Sequence, residues 1–142
     1  MSDLTSRIRE KLAAPQMINL ATVTEVGTPW VRYVMAVTDD DLTMRVATFL
    51  GSRKVAQINQ NPEVHASCGV TSLSEASDYL QIQARATVST DEAERCHVWN
   101  DGLKAYFRGP DDPNLAVLVL KPYRIELQTM ASMTPEVWES EY

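Results

Sequence analysis

Apolar positions along this chain recur at helical spacing in a few short stretches and at every second residue over most of the rest. Leu4, Ile8 and Leu12 form one stripe over residues 3–14, which predicts a short amphipathic helix closed by Pro15. The period then drops to two. Met17 to Thr24 and Pro29 to Val37 read as strands joined by Glu25-Val26-Gly27-Thr28, where Gly27 supplies the positive φ of a hairpin turn. Asp39-Asp40-Asp41 turns the chain into a third strand, Leu42 to Thr48. After Ser52, Val55, Ala56 and Ile58 return to the helical period until Asn61-Pro62 stops it. Val64 to Val70 and Tyr79 to Ser89 read as strands on either side of a Ser-rich loop, Thr71 to Asp78. Ser89-Thr90-Asp91-Glu92 has the spacing of a capping box and predicts a helix with Ala93, Cys96 and Trp99 as its buried stripe. Gly109 to Pro113 is a rigid loop. Leu115 to Leu120 and Tyr123 to Met130 read as the last two strands, with Lys121-Pro122 between them. Thr134-Pro135-Glu136 opens a final short helix carrying Val137 and Trp138.

About seven strands, dominated by hairpins and with helices inserted between them, predict a mainly β protein with peripheral helices. The architecture expected is an antiparallel barrel rather than a doubly wound sheet. No repeat, low-complexity tract or linker divides the chain, so residues 1–142 read as one domain.

Charge narrows the partners. With 13 basic against 19 acidic residues the net charge is −6, which argues against nucleic acid or an anionic membrane surface. The longest apolar run, Leu115 to Leu120, is too short to span a bilayer, and the polar start Met1-Ser2-Asp3-Leu4-Thr5-Ser6-Arg7 has no signal-peptide core. Cys68 and Cys96 fall in no metal or redox pattern and read as buried free thiols of a reducing compartment. The expected location is cytoplasmic. His65 and His97, the only histidines, have no clustered ligands around them, so no metal site is expected.

Against that acidic background, Thr48-Phe49-Leu50-Gly51-Ser52-Arg53-Lys54 stands out. Ser52 reads as an N-cap, which puts Arg53 and Lys54 in the first helical turn. Unpaired backbone N–H groups already carry partial positive charge there. Each such cation costs roughly 0.3–1 kcal/mol, whereas a bound anion reverses the sign. Exposed first-turn cations are also common without a ligand, so context must decide. Arg32 supplies some. It interrupts a strand that is apolar on both sides, with Trp30, Val34 and Ala36 on one and Val31, Tyr33, Met35 and Val37 on the other. Such a strand is expected to be covered twice, by the barrel and by a helix, ligand or second subunit. A buried guanidinium is costly unless an anion or several acceptors satisfy it, and a pair with one of the chain's own carboxylates is the structural alternative. The hairpin order brings Arg32, Thr48, Ser52, Arg53 and Lys54 to one end of the sheet, and a phosphate-bearing ligand fits that convergence.

The residues Arg32-Tyr33-Val34-Met35, then Thr48 through Lys54, then Gln57-Ile58 and Asn61-Pro62-Glu63-Val64, resemble the flavin mononucleotide (FMN) site of the pyridoxamine 5′-phosphate oxidase-like split barrels. The family pattern is an R-x-V strand, then Tyr-Thr-Asn, then Ser-Arg-Lys opening a helix, then Asn-Pro-x-Val. Val98-Trp99, the run Tyr106 to Pro113 and Lys121-Pro122 are similar to the general stress protein branch, and the likeness covers residues from about 17 to 127. The resemblance implies a six- to seven-stranded split β-barrel that forms a homodimer with FMN at the subunit interface. It assigns the cofactor phosphate to Arg32, Thr48, Ser52, Arg53 and Lys54, and lays the backbone of Tyr33, Val34 and Met35 along the flavin ring.

This chain also departs from the pattern. Val37 stands where the family's oxidases have a Lys, and Ala47 replaces the Tyr before Thr48. The Arg-Leu-His-Asp-Arg segment that reads the pyridoxine substrate has no counterpart here. Glu126 is followed by Leu127 and Gln128 where the stress-protein branch often carries an aromatic pair. The implied function is therefore an FMN-dependent oxidoreductase passing hydride or electrons to a small acceptor, not a true pyridoxamine 5′-phosphate oxidase. The alternatives are a non-catalytic flavin, haem or deazaflavin binding module or stress-related sensor of the same fold, or a structural protein whose cations pair with its own acids. No acid–base residue is in view, so catalysis would reside in the flavin.

Overall fold

The computed structural model describes residues 3–70, 72–75 and 77–141. Met1, Ser2, Thr71, Ala76 and Tyr142 lie outside the described residues. Helix α1 (Asp3–Leu12) leads into strands β1 (Gln16–Val23), β2 (Pro29–Thr38) and β3 (Met44–Phe49), followed by α2 (Arg53–Gln60). Strands β4 (Glu63–Cys68) and β5 (Asp78–Ser89), helix α3 (Glu92–Val98) and strands β6 (Leu115–Thr129) and β7 (Glu136–Glu139) complete the chain, with 3-10 turns at Leu73–Glu75 and Asp101–Ala105.

The sheet runs β3-β2-β1-β4-β5-β6-β7, and a β3–β6 pairing closes six strands into an antiparallel barrel. The barrel is split between β2 and β3. These two strands pair only at Val37↔Arg45 and Thr38↔Met44, whereas β1 runs along β2 from Ala36 to Pro29. From Met35 back to Pro29 the edge of β2 that faces away from β1 therefore has no strand partner among the described residues. Helix α2 follows the last residue pair of β3 and packs Val55 and Ile58 into the core, with β1 and β5 as its neighbours.

The core consists of the inward positions of the alternating strands: Ile18 and Leu20 from β1, Val34 and Ala36 from β2, Met44 and Val46 from β3, Leu80 and Ile82 from β5, Leu118 and Ile125 from β6. Ile8 and Leu12 bring the α1 stripe onto the same core, as their helical spacing requires.

Three elements differ from the sequence reading. The two last strands are one. Strand β6 continues through Lys121-Pro122, because Pro122 sits at a register shift: Gln83 pairs with Arg124 and Ala84 with Pro122, so Tyr123 is the extra residue of a bulge. A bulge is where a strand tolerates a residue without an N–H. The expected last helix is strand β7, with Trp138 paired to Ile125 and Val137 to Glu126. Four residues are too few to sustain a helix alone, while the second half of β6, past its pairing with β3, offers open backbone groups. The capping box does not form. Ser89 ends β5 and its Oγ accepts from the Asp91 N–H at 3.1 Å, and Asp91 is the residue that precedes the helix. The two-residue shift turns Val98 inward and leaves Ala93 and Cys96 exposed, so only Cys68 of the two cysteines is a buried thiol. Burial pushes the Cys68 thiol pKa up to about 11. Strand β2 is covered by the barrel on one face, where Val34 and Ala36 are buried, while on the other face Val31, Tyr33 and Met35 are 61%, 72% and 51% exposed within the single chain.

Helix α3 is tied to the β2–β3 turn by charge. Arg45 donates to Glu94 through Nε at 2.6 Å and also to Asp39, and His97 Nε2 lies 2.9 Å from the other Asp39 oxygen. Burial pushes the Asp39 carboxyl up, but the hydrogen bonds from His97 and Arg45 outweigh it and hold the group below its usual range.

Candidate functional site

The open edge of β2 and the start of α2 meet at one end of the barrel. Ser52 has extended backbone, φ −73° and ψ 157°, and stands immediately before Arg53, as an N-cap does. Its side chain makes no capping bond to the helix. Its hydroxyl lies instead 3.5 Å from that of Thr48, which is buried at the end of β3. Two hydroxyls and the unpaired N–H groups of the helix start are thus gathered without a full set of partners.

Arg32 crosses from β2 toward α2. Its Nη1 donates to Thr22 Oγ1 at 2.7 Å, to Trp30 O at 3.2 Å and to Leu20 O at 3.3 Å, and its Nη2 donates to Gln57 Oε1 at 3.1 Å. Thr22 also donates to Gln57 Oε1, at 2.5 Å. Every acceptor is neutral. Arg32 is thus satisfied by several neutral acceptors rather than by a carboxylate, and among the described residues no ion pair involves Arg32, Arg53 or Lys54. The ion pairs of this chain lie elsewhere, on Arg7, Lys11, Arg45, Arg85, His97, Lys104, Arg108 and Arg124. Among the described residues, then, the cluster does not neutralise the protein's own acids.

The electrostatics agree. Burial lowers the pKa of Arg32, and repulsion from Arg53 lowers it further. Lys54 is lowered by burial first and by Arg32 second. Both groups hold their protons less firmly than in water, chiefly because burial disfavours the charged form and to a smaller extent because a like charge stands nearby. Arg53 leans over Trp30, its Cζ 5.9 Å from the ring centre, a distant cation–π contact.

The site residues expected from the sequence divide cleanly. Arg32, Thr48, Ser52, Arg53 and Lys54 stand together on β2, the end of β3 and the first turn of α2. Tyr33, Val34 and Met35 lie on the open edge, where the Val34 side chain faces the core and those of Tyr33 and Met35 face outward. The sequence reading did not assign the network that holds Arg32. Gln57 carried a signal, since it lies one helical turn after Arg53 and so on the same face. Thr22, fully buried opposite Trp30 in the strand pair, carried almost none. His65 faces a polar groove with Gln81, Gln83, Arg124 and Glu126, and no group of three or more potential metal ligands occurs among the described residues. No helix of the described residues is long and apolar enough to cross a membrane.

Comparison with known proteins gives one consistent answer. The family model described as pyridoxamine 5′-phosphate oxidase matches residues 4–129. General stress protein 26 of Bacillus subtilis (strain 168) is 29% identical over 133 residues, 94% of each chain. The crystal structure of General Stress Protein 26 from Bacillus anthracis str. Sterne superimposes with a TM-score of 0.83 at 25% identity, covering 98% of this chain and all of that one. The fold extends to more distant proteins. A heme binding protein from Mycobacterium smegmatis shares it at 16% identity, with a TM-score of 0.75 over 98% of this chain and 59% of that one. An F420 reductase shares it at 22% identity, with a TM-score of 0.64 over 82% and 94%.

Proposed function

The chain belongs to the pyridoxamine 5′-phosphate oxidase family, and from that premise we propose that it is an FMN-binding oxidoreductase whose flavin lies between two copies of the chain. The observation that supports this most is the uncompensated cation cluster of Arg32, Arg53 and Lys54, with the Thr48 and Ser52 hydroxyls beside it. A phosphate ester supplies the charge that no carboxylate among the described residues supplies, and the N-terminus of α2 adds its own partial charge toward it. The open edge of β2 along Tyr33, Val34 and Met35 offers backbone donors and acceptors for the polar rim of a flavin ring. When bound, the flavin accepts and donates hydride or electrons. The chain's residues hold the phosphate, orient the ring and exclude water.

The second copy follows from the exposed face. Val31, Tyr33 and Met35 line up with Met17, itself 54% exposed, to make an apolar strip beside the open edge. A homodimer covers this strip and closes the site from the other side. Light scattering at micromolar concentration is expected to give twice the chain mass; a stable monomer would remove the interface half of the proposal.

The decisive experiment on the cofactor is the absorbance spectrum of purified protein. The two-banded spectrum of a bound flavin is expected, and a haem spectrum or a colourless protein able to take up no flavin sinks the reading. Adding NADH or NADPH then separates an oxidoreductase, whose flavin bleaches, from a passive flavin carrier.

A further inference from the structure

We propose that α3 is a pH-responsive strap across the split of the barrel. Through the contact of His97 with Asp39 it holds the closed end of the split together, and so sets how firmly the split grips its ligand. The grip on a ligand rests on the flavin reading above; the strap itself does not.

The topology leaves work for a strap to do. Among the described residues β2 and β3 are joined only at Val37↔Arg45 and Thr38↔Met44, so the two banks of the split hang on one short junction. Helix α3 lies outside that junction and reaches both banks. Val98 packs with Val37 of β2, with Ala47 of β3, and with Val117 and Val119 of β6. Glu94 accepts from Arg45 of β3 at 2.6 Å, and His97 meets Asp39, the residue after β2, at 2.9 Å. Arg95 Nε donates to the Leu115 carbonyl of β6 at 3.0 Å. One short helix is thus fastened to all three strands around the closed end. The turn beneath it is strained as well. Leu42 has φ 72°, a conformation that L-residues rarely adopt, and its side chain is buried in the core. Such a turn keeps its shape only while its surroundings enforce it. Leu42 anchors it from inside, and the charges on Asp39 anchor it from outside.

Asp39 makes the strap sensitive to pH. One of its oxygens accepts from Arg45 and the other meets His97. Burial pushes its carboxyl up, but the bonds from His97 and Arg45 hold it below its usual range. The carboxylate therefore keeps its charge on mild acidification, while an imidazole gains one between about pH 8 and about pH 5. Over that range the contact turns from a plain hydrogen bond into an ion pair, and the strap tightens. It is released only in stronger acid, as pH falls through the folded value of Asp39. The other charges nearby leave this response to His97. Arg45, Arg95 and Arg9 are guanidinium groups that stay charged throughout; Arg9, from α1, lines a small cavity beside Asp39 and donates to the Asp40 carbonyl. Glu94 is engaged by Arg45, and of the other two carboxylates in the turn, Asp41 accepts from the Thr43 N–H while Asp40 is exposed. Strand β6 offers the helix Val117 and Val119.

Two measurements on the wild type and His97→Gln, each at about pH 5 and about pH 8, test this. One is hydrogen-exchange protection of the backbone amides in the two joining pairs, with the β4–β5 amides as reference. The other is titration with FMN. Glutamine keeps a donor for Asp39 but cannot take up a proton. At the higher pH the two proteins are expected to agree. At the lower pH the wild-type junction is expected to be about threefold better protected than the variant's and to bind FMN about threefold more tightly, the gain of a partly exposed ion pair over a neutral bond. The β4–β5 amides are expected to be alike in both. Comparing the two proteins at one pH cancels the change in FMN itself, whose phosphate gains a proton near about pH 6. Equal junction protection at the lower pH overturns the strap. Altered protection with unaltered FMN affinity overturns its hold on the site. A wild type that takes up no FMN sinks the flavin reading instead, and the exchange data alone then decide the strap.

Discussion

The double variant Arg53→Glu, Lys54→Glu is expected to purify without FMN, yet to melt at the same temperature as flavin-stripped wild type or a few degrees above it. The two halves of this result have separate physical causes. In the bound state each lost charge-assisted hydrogen bond removes roughly 1.5–3 kcal/mol, and two of them weaken binding by at least a hundredfold. The new carboxylates also repel the phosphate directly. In the apo state the wild-type cations work against the fold, because they lie on the positive end of α2 and beside Arg32. The lowered pKa of Lys54 states this as linkage. The folded protein binds that proton less tightly than the unfolded chain, so a charged lysine costs stability at neutral pH, and the cost fades only as pH rises through its folded value. Acidic residues in the first turn reverse the helix-end contribution by about 0.3–1 kcal/mol each. Arg32 would at the same time gain carboxylate neighbours. A variant that still carries stoichiometric FMN, assayed by its spectrum after denaturation, refutes the phosphate assignment. A variant that melts well below the stripped wild type shows that the cluster has a structural role.

The cation cluster was legible in the sequence because its signals are local. Ser52, the misplaced cations after it and the Asn61-Pro62 stop all lie within one short stretch, and each acts through the helix it begins or ends. The alternation of β1 and β2 was legible for the same reason, since period two survives in any strand with one face in a core. The elements misread depend on partners far away in the chain. Val137 and Trp138 become a strand only because the far half of β6 has parted from β3, which no window around residue 137 records. Pro122 looks like a break between strands, but opposite Gln83 and Ala84 it becomes the site of a bulge. A two-residue error at the start of α3 rotated the helix and exchanged its buried face. Arg32 is the instructive middle case. That it needed partners was readable, but that these would be Thr22, Gln57 and two carbonyls rather than a carboxylate depends on β1 and α2 meeting in space.

That same detail sets the expected selectivity of apo-protein for FMN over riboflavin, which should reach a hundredfold or more. Riboflavin offers the ring and the ribityl chain but no anion, so Arg32, Arg53 and Lys54 would remain crowded against one another when it binds. Two or three charge-assisted contacts, at roughly 1.5–3 kcal/mol each, separate the two ligands. Relief of the mutual repulsion on Arg32 and Lys54 adds to the preference, because it is gained only with a phosphate. Salt should weaken the preference, since the Debye length of about 8–10 Å at physiological strength already screens exposed Arg53. The dependence should stay shallower than for a surface pair, because Arg32 and Lys54 are partly buried and Arg32 is held in place by neutral acceptors. The measurement is a pair of fluorescence titrations of apo-protein, at low and high salt, with FMN and with riboflavin. Equal affinities for the two flavins would mean that the three cations serve no phosphate, and the unpaired charge at the start of α2 would need a different anion to explain it.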